Sequence, residues 1–251
     1  MQNYKLTIAY DGTRYQGWQG QGNTGNTLQA RLEGVLCRLS SEQVEVHASG
    51  RTDAGVHAAG QVVSFALANP IPPDALMEHL NCYLPQDMGV MALEYAPPRF
   101  HARLNAVGKT YVYRIWNDPR PDVFARRFRY TEPRPLDVAA MGQAARLLEG
   151  QHDFRSFCGL TRFKKSTVRT IFSIEITRQQ EEVCLRFTGD GFLNRMVRIL
   201  AGTLVEVGLG LRTPDSMTDV LAACDRSHAA GALPAHGLTL EQVYYDSIPN
   251  T

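Results

Sequence analysis

The chain has no paired set of cysteines. Its five, Cys37, Cys82, Cys158, Cys184 and Cys224, are odd in number, scattered and without a C-x-x-C spacing, which argues against a disulfide framework and a zinc site. No apolar run approaches 18 residues without a charge, and the first residues lack the basic, apolar, small-residue order of a secretory leader. The expectation is a soluble protein of the reducing cytoplasm, away from membranes and without a metal. At 251 residues a chain buries roughly 70 to 75% of its unfolded surface, enough for one large or two ordinary domains without a staple.

Net charge is nearly absent as well, at +1, but it is unevenly spread. Residues 99 to 198 hold 19 Lys and Arg against 10 Asp and Glu. That segment carries Arg126, Arg127 and Arg129 and the pair Lys164 and Lys165, interleaved with Tyr111, Tyr113, Phe124, Phe128, Phe154, Phe157 and Phe163. Basic clusters among aromatics suit a partner with phosphates and stackable bases. The plainer account is a solvated basic face over core aromatics. Composition alone leaves the two level, with Arg126, Arg127, Lys164 and Lys165 as candidate RNA backbone contacts.

Periodicity gives an internal echo. Residues 4 to 10 alternate as a strand, Thr27 caps a helix with Leu28, Leu32, Leu36 and Leu39 near one face, extended segments at Val44 to His47 and Gly60 to Leu67 follow, then a helix from about Asp74 and a strand at Gly89 to Tyr95. The second half repeats the order: a strand at Lys109 to Trp116, a helix at Leu136 to Leu148, strands at Val168 to Thr177 and Val183 to Thr188, helices at Phe192 to Val207 and Asp215 to Ala223, and a strand at Leu238 to Tyr245. The reading is α+β: two ferredoxin-like β-α-β-β-α-β halves with mostly antiparallel sheets, residues 1–105 and 106–251, and an active-site cleft between them.

Between the extended segments of the first half lies the loop Gly50-Arg51-Thr52-Asp53-Ala54-Gly55-Val56-His57-Ala58. Loops held by a sheet often carry reactive groups, and Asp53 is the candidate: a carboxylate acts as nucleophile or base only while ionised, and a guanidinium such as Arg51 two residues away favours that form. The competing account is a connection in which glycine supplies unusual dihedrals and Asp caps backbone. Gly20, Gly22 and Gly25 match G-x-G-x-x-G, but the preceding strand ends near Tyr10, so a dinucleotide site is rejected. Tyr111 and Tyr113 share a strand face with Lys109, either as cross-strand packing or as a binding surface. Arg195 and Arg198 lie three apart at the start of a predicted helix, by default a surface pair. His57, His101 and His152 have no metal-ligand spacing and read as hydrogen-bonded structural residues.

Seven segments together resemble the tRNA pseudouridine synthase A family: Tyr15 to Gln19, Gly50 to Ala58, Phe100 to Arg103, Lys109 to Tyr113, His152 to Phe157, Phe192 to Arg198 and Gly237 to Leu240. They keep the family's order over nearly the whole chain. The resemblance implies the pseudouridine synthase fold and isomerisation of uridine to pseudouridine at positions 38, 39 and 40 in the anticodon stem-loop of tRNA. It further implies Asp53 as catalytic aspartate, Tyr111 packing on the target base, Arg198 paired with the aspartate, Arg51 positioning the loop or gripping phosphate, no cofactor, and a homodimer. Ile199 stands where the family commonly has Asn, and Asn194 and Arg195 replace His-containing pairs, which touches the RNA contacts of that helix rather than the chemistry. The alternatives are a catalytically silent RNA-binding protein, which gives no reason for the Asp53 loop, and a carboxylate-dependent hydrolase, which needs a second acid across the bond.

Overall fold

Alternation decides the first strand. In the computed structural model, which describes residues 1–20, 25–163 and 165–248, β1 (Gln2–Tyr10) buries Tyr4, Leu6, Ile8 and Tyr10 in turn. That is the period-two pattern of a strand with one covered face. Helix α1 (Leu28–Ser40) starts where the Thr27 hydroxyl accepts the Ala30 N–H, and it buries Leu28, Leu32, Val35 and Leu36, spaced for one helical face. Helix α2 (Pro73–Tyr83) has proline in its first turn, where a missing N–H costs nothing.

The chain forms two compact units, residues 1–107 with 240–247 and residues 108–239 with 248–251. In the first, β1 pairs antiparallel with both β3 (His57–Leu67) and β4 (Met88–Ala96), while β2 (His47–Ala48) lies antiparallel on β3. The order is thus β-α-β-β-α-β, with α2 packed on β4 and touching α1. β3 is the central strand, and most of its residues are buried on both faces. Ala102 donates its N–H to the Ser64 hydroxyl, so residues 97–105 fold back against β3. Residues 240–247, including most of β10 (Leu238–Tyr244), also belong here.

In the second unit β5 (Gly108–Trp116), β9 (Glu182–Gly189), β8 (Val168–Gln179) and β7 (Gly150–Asp153) pair in that order, all antiparallel, and β6 (Tyr130–Thr131) runs parallel to β5. Helix α3 (Val138–Arg146) packs on β8 and on α4 (Met196–Gly208), and α5 (Ser216–Ala223) follows. α4 buries eleven residues, all but Arg198 and Glu206, so it is the core helix of this unit. The architecture is mixed α+β with antiparallel pairing nearly throughout.

Several boundaries differ from the sequence reading. Val44 to Val46 is not strand; only His47 and Ala48 pair. The helix read from Phe192 begins at Met196, because Arg195 takes a left-handed φ of 57° that no α-helix continues through. β6 and β7 are too short and polar to show a period.

Candidate active site

Asp53 opens a turn that the Val56 N–H closes on the Asp53 carbonyl at 3.1 Å. The third residue, Gly55, has φ +78°, the value a type II turn demands there. Thr52, immediately before Asp53, is clamped from two directions. Its carbonyl accepts the Trp18 N–H at 3.0 Å, and its hydroxyl meets the Tyr10 hydroxyl at 2.8 Å. The Gln61 amide, on β3, donates to the Gly50 carbonyl at 2.7 Å and to the Tyr10 oxygen at 3.4 Å, while its oxygen accepts the Ser49 hydroxyl at 2.8 Å. Either hydroxyl of the Tyr10–Thr52 pair can supply the proton. Tyr10, Ser49, Thr52 and Gln61 are all buried, and burial pushes the Tyr10 phenol up to about 12, so the cluster stays neutral. Buried, satisfied networks of this kind fix one geometry.

Gly17 packs behind this clamp. A Cβ there would stand 2.8 Å from the Thr52 carbonyl oxygen and 3.2 Å from the Ala54 nitrogen. The segment carrying it is tied down by Asp87, which accepts the Tyr15 hydroxyl at 2.6 Å and pairs with Arg14. His57 is buried, and its Nδ1 accepts the Gly12 N–H at 3.1 Å. The proton of the neutral ring is then on Nε2, and the Asp11 oxygen 3.2 Å from Nδ1 forms an ion pair only if the ring is protonated. Arg51 is exposed and engages no partner among the described residues.

In the second unit, Tyr113 takes the packing role: it is fully buried and donates its hydroxyl to the Pro234 carbonyl at 2.8 Å. Tyr111, on the same face of β5, is 8% exposed and stands edge-on to Phe192, ring centres 5.3 Å apart. Phe192 lies just ahead of α4, so this contact joins Tyr111 to the approach to that helix. Arg198 is in the first turn of α4, with Nε donating to the Leu233 carbonyl at 2.6 Å, which sets the plane of the guanidinium. A cation there opposes the helix dipole, at a cost of roughly 0.3 to 1 kcal/mol. The bond to Leu233, whose own N–H returns to the Arg198 carbonyl at 3.1 Å, offsets that cost and ties residue 233 to the start of the helix.

The basic candidates divide. Arg126, Arg127 and Lys165 are exposed; Arg129 is committed to Asp122 and Glu182; Lys164 and Gly22 lie outside the described residues. His152 hydrogen-bonds the Glu149 carbonyl at 2.8 Å, and His101 stacks on His47 at 5.0 Å, burial and that neighbour holding its imidazole below the usual range. Among the described residues no three His, Cys, Asp or Glu side chains form a metal-binding group, and no helix is long and apolar enough to cross a membrane.

Tyr10, Ser49 and Gln61 escaped the sequence reading, and Gly17 entered it only within the Tyr15 to Gln19 segment. One signal was available: Gln61 and Ser64 interrupt the apolar run of β3, and polar side chains in a buried strand hold something.

A family model described as tRNA pseudouridine synthase matches residues 6–105 and 144–246. A tRNA pseudouridine synthase A of Bacillus sp. (strain KSM-64) is 44% identical over 245 residues, covering 98% of this chain and 100% of that one. The tRNA pseudouridine synthase A of Brevibacillus brevis is likewise 44% identical with the same coverage, and that of Bacillus subtilis (strain 168) is 43% identical, covering 97% and 99%. Among solved structures, a Cbf5–Nop10–Gar1 complex aligns at TM-score 0.35 and 14% identity over 80% of this chain and 45% of that one, a likeness too slight to bear on the fold.

Proposed function

The chain belongs to the tRNA pseudouridine synthase family, and from that premise we propose that it isomerises uridine at positions 38, 39 and 40 of the tRNA anticodon stem-loop, with Asp53 as its catalytic carboxylate. The observation that carries the assignment to Asp53 is the clamp: buried hydrogen bonds on Gly50 and Thr52, and a glycine packed behind them, hold the loop at the residues beside this carboxylate. A reactive group needs positioning to within tenths of an ångström.

As an isomerase of this family, the enzyme needs no net oxidant or reductant. The N1–C1′ bond breaks, a C5–C1′ bond forms, the C5 proton leaves and N1 gains one. The target base must leave its stack, at a few kcal/mol, and Tyr111 is the proposed partner that offsets this by packing on it. An ionised Asp53 serves each of three routes: addition to C6, attack at C1′, or removal of the C2′ proton. Arg198 is the proposed cation for the aspartate, and Arg51, exposed at the loop's edge, grips phosphate. A homodimer and a cytoplasmic location belong to the same proposal.

Release of tritium from C5-labelled uridine in tRNA tests it: a synthase releases the label and leaves pseudouridine, a hydrolase yields free base, and a silent RNA-binding protein does neither. Restriction of the product to positions 38, 39 and 40, mapped in the treated tRNA, tests the site.

Arg198→Lys keeps the charge but loses the planar, two-pronged donor set. A lost charge-assisted bond of about 1.5 to 3 kcal/mol predicts a fall in kcat of about ten- to hundredfold, with the KM for tRNA changing less. An unaltered kcat removes Arg198 from the site. For Arg126, Arg127, Lys164 and Lys165, neutralising all four is expected to weaken tRNA binding and flatten the slope of log K against log salt by roughly 0.7 per lost contact, while catalysis at saturating tRNA survives. Titrations across a salt series in which slope and affinity both stay put would make them a solvated face.

A further inference from the structure

The aromatics of the basic segment separate in the structure. Tyr111, Tyr113, Phe154 and Phe157 are buried, whereas Phe163 and Phe128 are 39% and 40% exposed and Phe124 is 95% exposed. A lone exposed apolar side chain needs no explanation. Phe124 is not alone, since Val123 beside it is 52% exposed and Phe128 follows four residues later. Nor is its loop loose. The Asp122 carboxylate accepts the N–H groups of Phe124 and Ala125 at 3.2 and 3.0 Å, and those bonds with Arg129 hold its carboxyl below the usual range. Arg129 bonds Asp122 at 2.6 Å and Glu182 of β9 at 2.7 Å, and lies over the Trp116 ring. The Phe128 N–H closes a further turn on the Ala125 carbonyl at 2.8 Å. An ordered loop anchored to the sheet therefore holds a phenyl ring out in water.

The charges around it say what it faces. Of the two carboxylates within residues 118–129, Asp118 is paired with Arg120 and Asp122 with Arg129. Arg126 and Arg127, two and three residues after Phe124, are exposed; the Arg126 guanidinium donates to the Val123 carbonyl, and that of Arg127 lies 5.9 Å from the centre of the Phe128 ring. A two-fold contact of this patch with its own copy would set those arginines against each other, whereas a polyanion with stackable bases complements both features.

We infer that Phe124 is a stacking platform for an unpaired base of the tRNA, with Arg126 and Arg127 toward the flanking phosphates. This rests on the proposed tRNA substrate and adds a contact that neither the reactive loop nor Tyr111 supplies. Base stacking on an aromatic contributes about 1 to 3 kcal/mol, equivalent to roughly five- to a hundredfold in affinity. With the full-length protein and an unmodified tRNA transcript, Phe124→Ala should raise KM and the filter-binding Kd for tRNA by about that factor and leave kcat at saturating tRNA unchanged. Phe124→Trp should restore both constants. The salt slope should not move, because no charge is lost.

A Kd within twofold of wild type in Phe124→Ala overturns the inference. So does restoration by Phe124→Leu as complete as by Trp, which marks a contact without stacking, or a change in sedimentation mass in Phe124→Ala, which marks a seat for a second copy. Failure of the wild type to form pseudouridine would sink the proposed reaction instead, and the filter-binding comparison would still decide the platform.

Discussion

Asp53→Asn is expected to reduce pseudouridine formation by more than about 10³-fold while the thermal midpoint and the Kd for tRNA stay near wild type. The amide keeps the shape of the side chain and removes only its charge, so any route through an ionised carboxylate is closed. The anchors of the loop described above do not use that charge. The turn that Asp53 opens is made by its backbone carbonyl and by Gly55, and the clamp on either side uses Gly50, Thr52 and Gln61. Single-turnover assays at saturating tRNA, with filter binding on the same preparation, separate the outcomes. Activity within tenfold of wild type would remove Asp53 as the reactive group and leave the loop as a structural connection.

How much was legible follows from the range of the interactions involved. β1 was readable because Tyr4, Leu6, Ile8 and Tyr10 alternate, and α1 because Thr27 caps a run with helical spacing; both are local properties of the chain. The start of α4 was not, because Arg195 breaks the helix with a left-handed φ that no residue type there announces. β6 and β7 escaped for want of length, being two and four residues, and β2, two residues long, was read too early, over Val44 to His47. Asp53, Tyr111 and Arg198 are proposed from their places in collinear motifs. The devices that hold the loop of Asp53 were not legible, since Tyr10 meets Thr52 across 42 positions and Gln61 meets Tyr10 across 51, and no pattern within a single segment encodes such a meeting. The basic segment shows the same limit: its charge was countable, but which aromatics are core and which face water is decided by the sheet they sit on.

Gly17→Ala makes the same point as an experiment, because the residue touches neither the reacting group's side chain nor the proposed RNA contacts. Its φ of +88° is costly for alanine, by roughly 1 to 2 kcal/mol. The added Cβ would lie 2.8 Å from the Thr52 carbonyl oxygen and 3.3 Å from the Asp53 carbonyl carbon, all backbone that no side-chain rotation can move. Relief requires the segment at Gly17 or the loop to shift, and the Trp18 N–H bond to Thr52 ties the two together. The expected result is a kcat lowered on the order of a hundredfold, the effect of an ångström-scale misplacement, with the Kd for tRNA within a few fold of wild type. The thermal midpoint should fall by about 2 to 8 °C for a chain of this length. Gly34→Ala is the control: it lies on the exposed face of helix α1 with nothing within 4 Å of its Cβ position, and it should stabilise by about 0.5 to 1 kcal/mol without altering turnover. If Gly17→Ala loses stability but keeps its kcat, the clamp is a fold element only, and the position of Asp53 is set by something other than the packing behind Thr52.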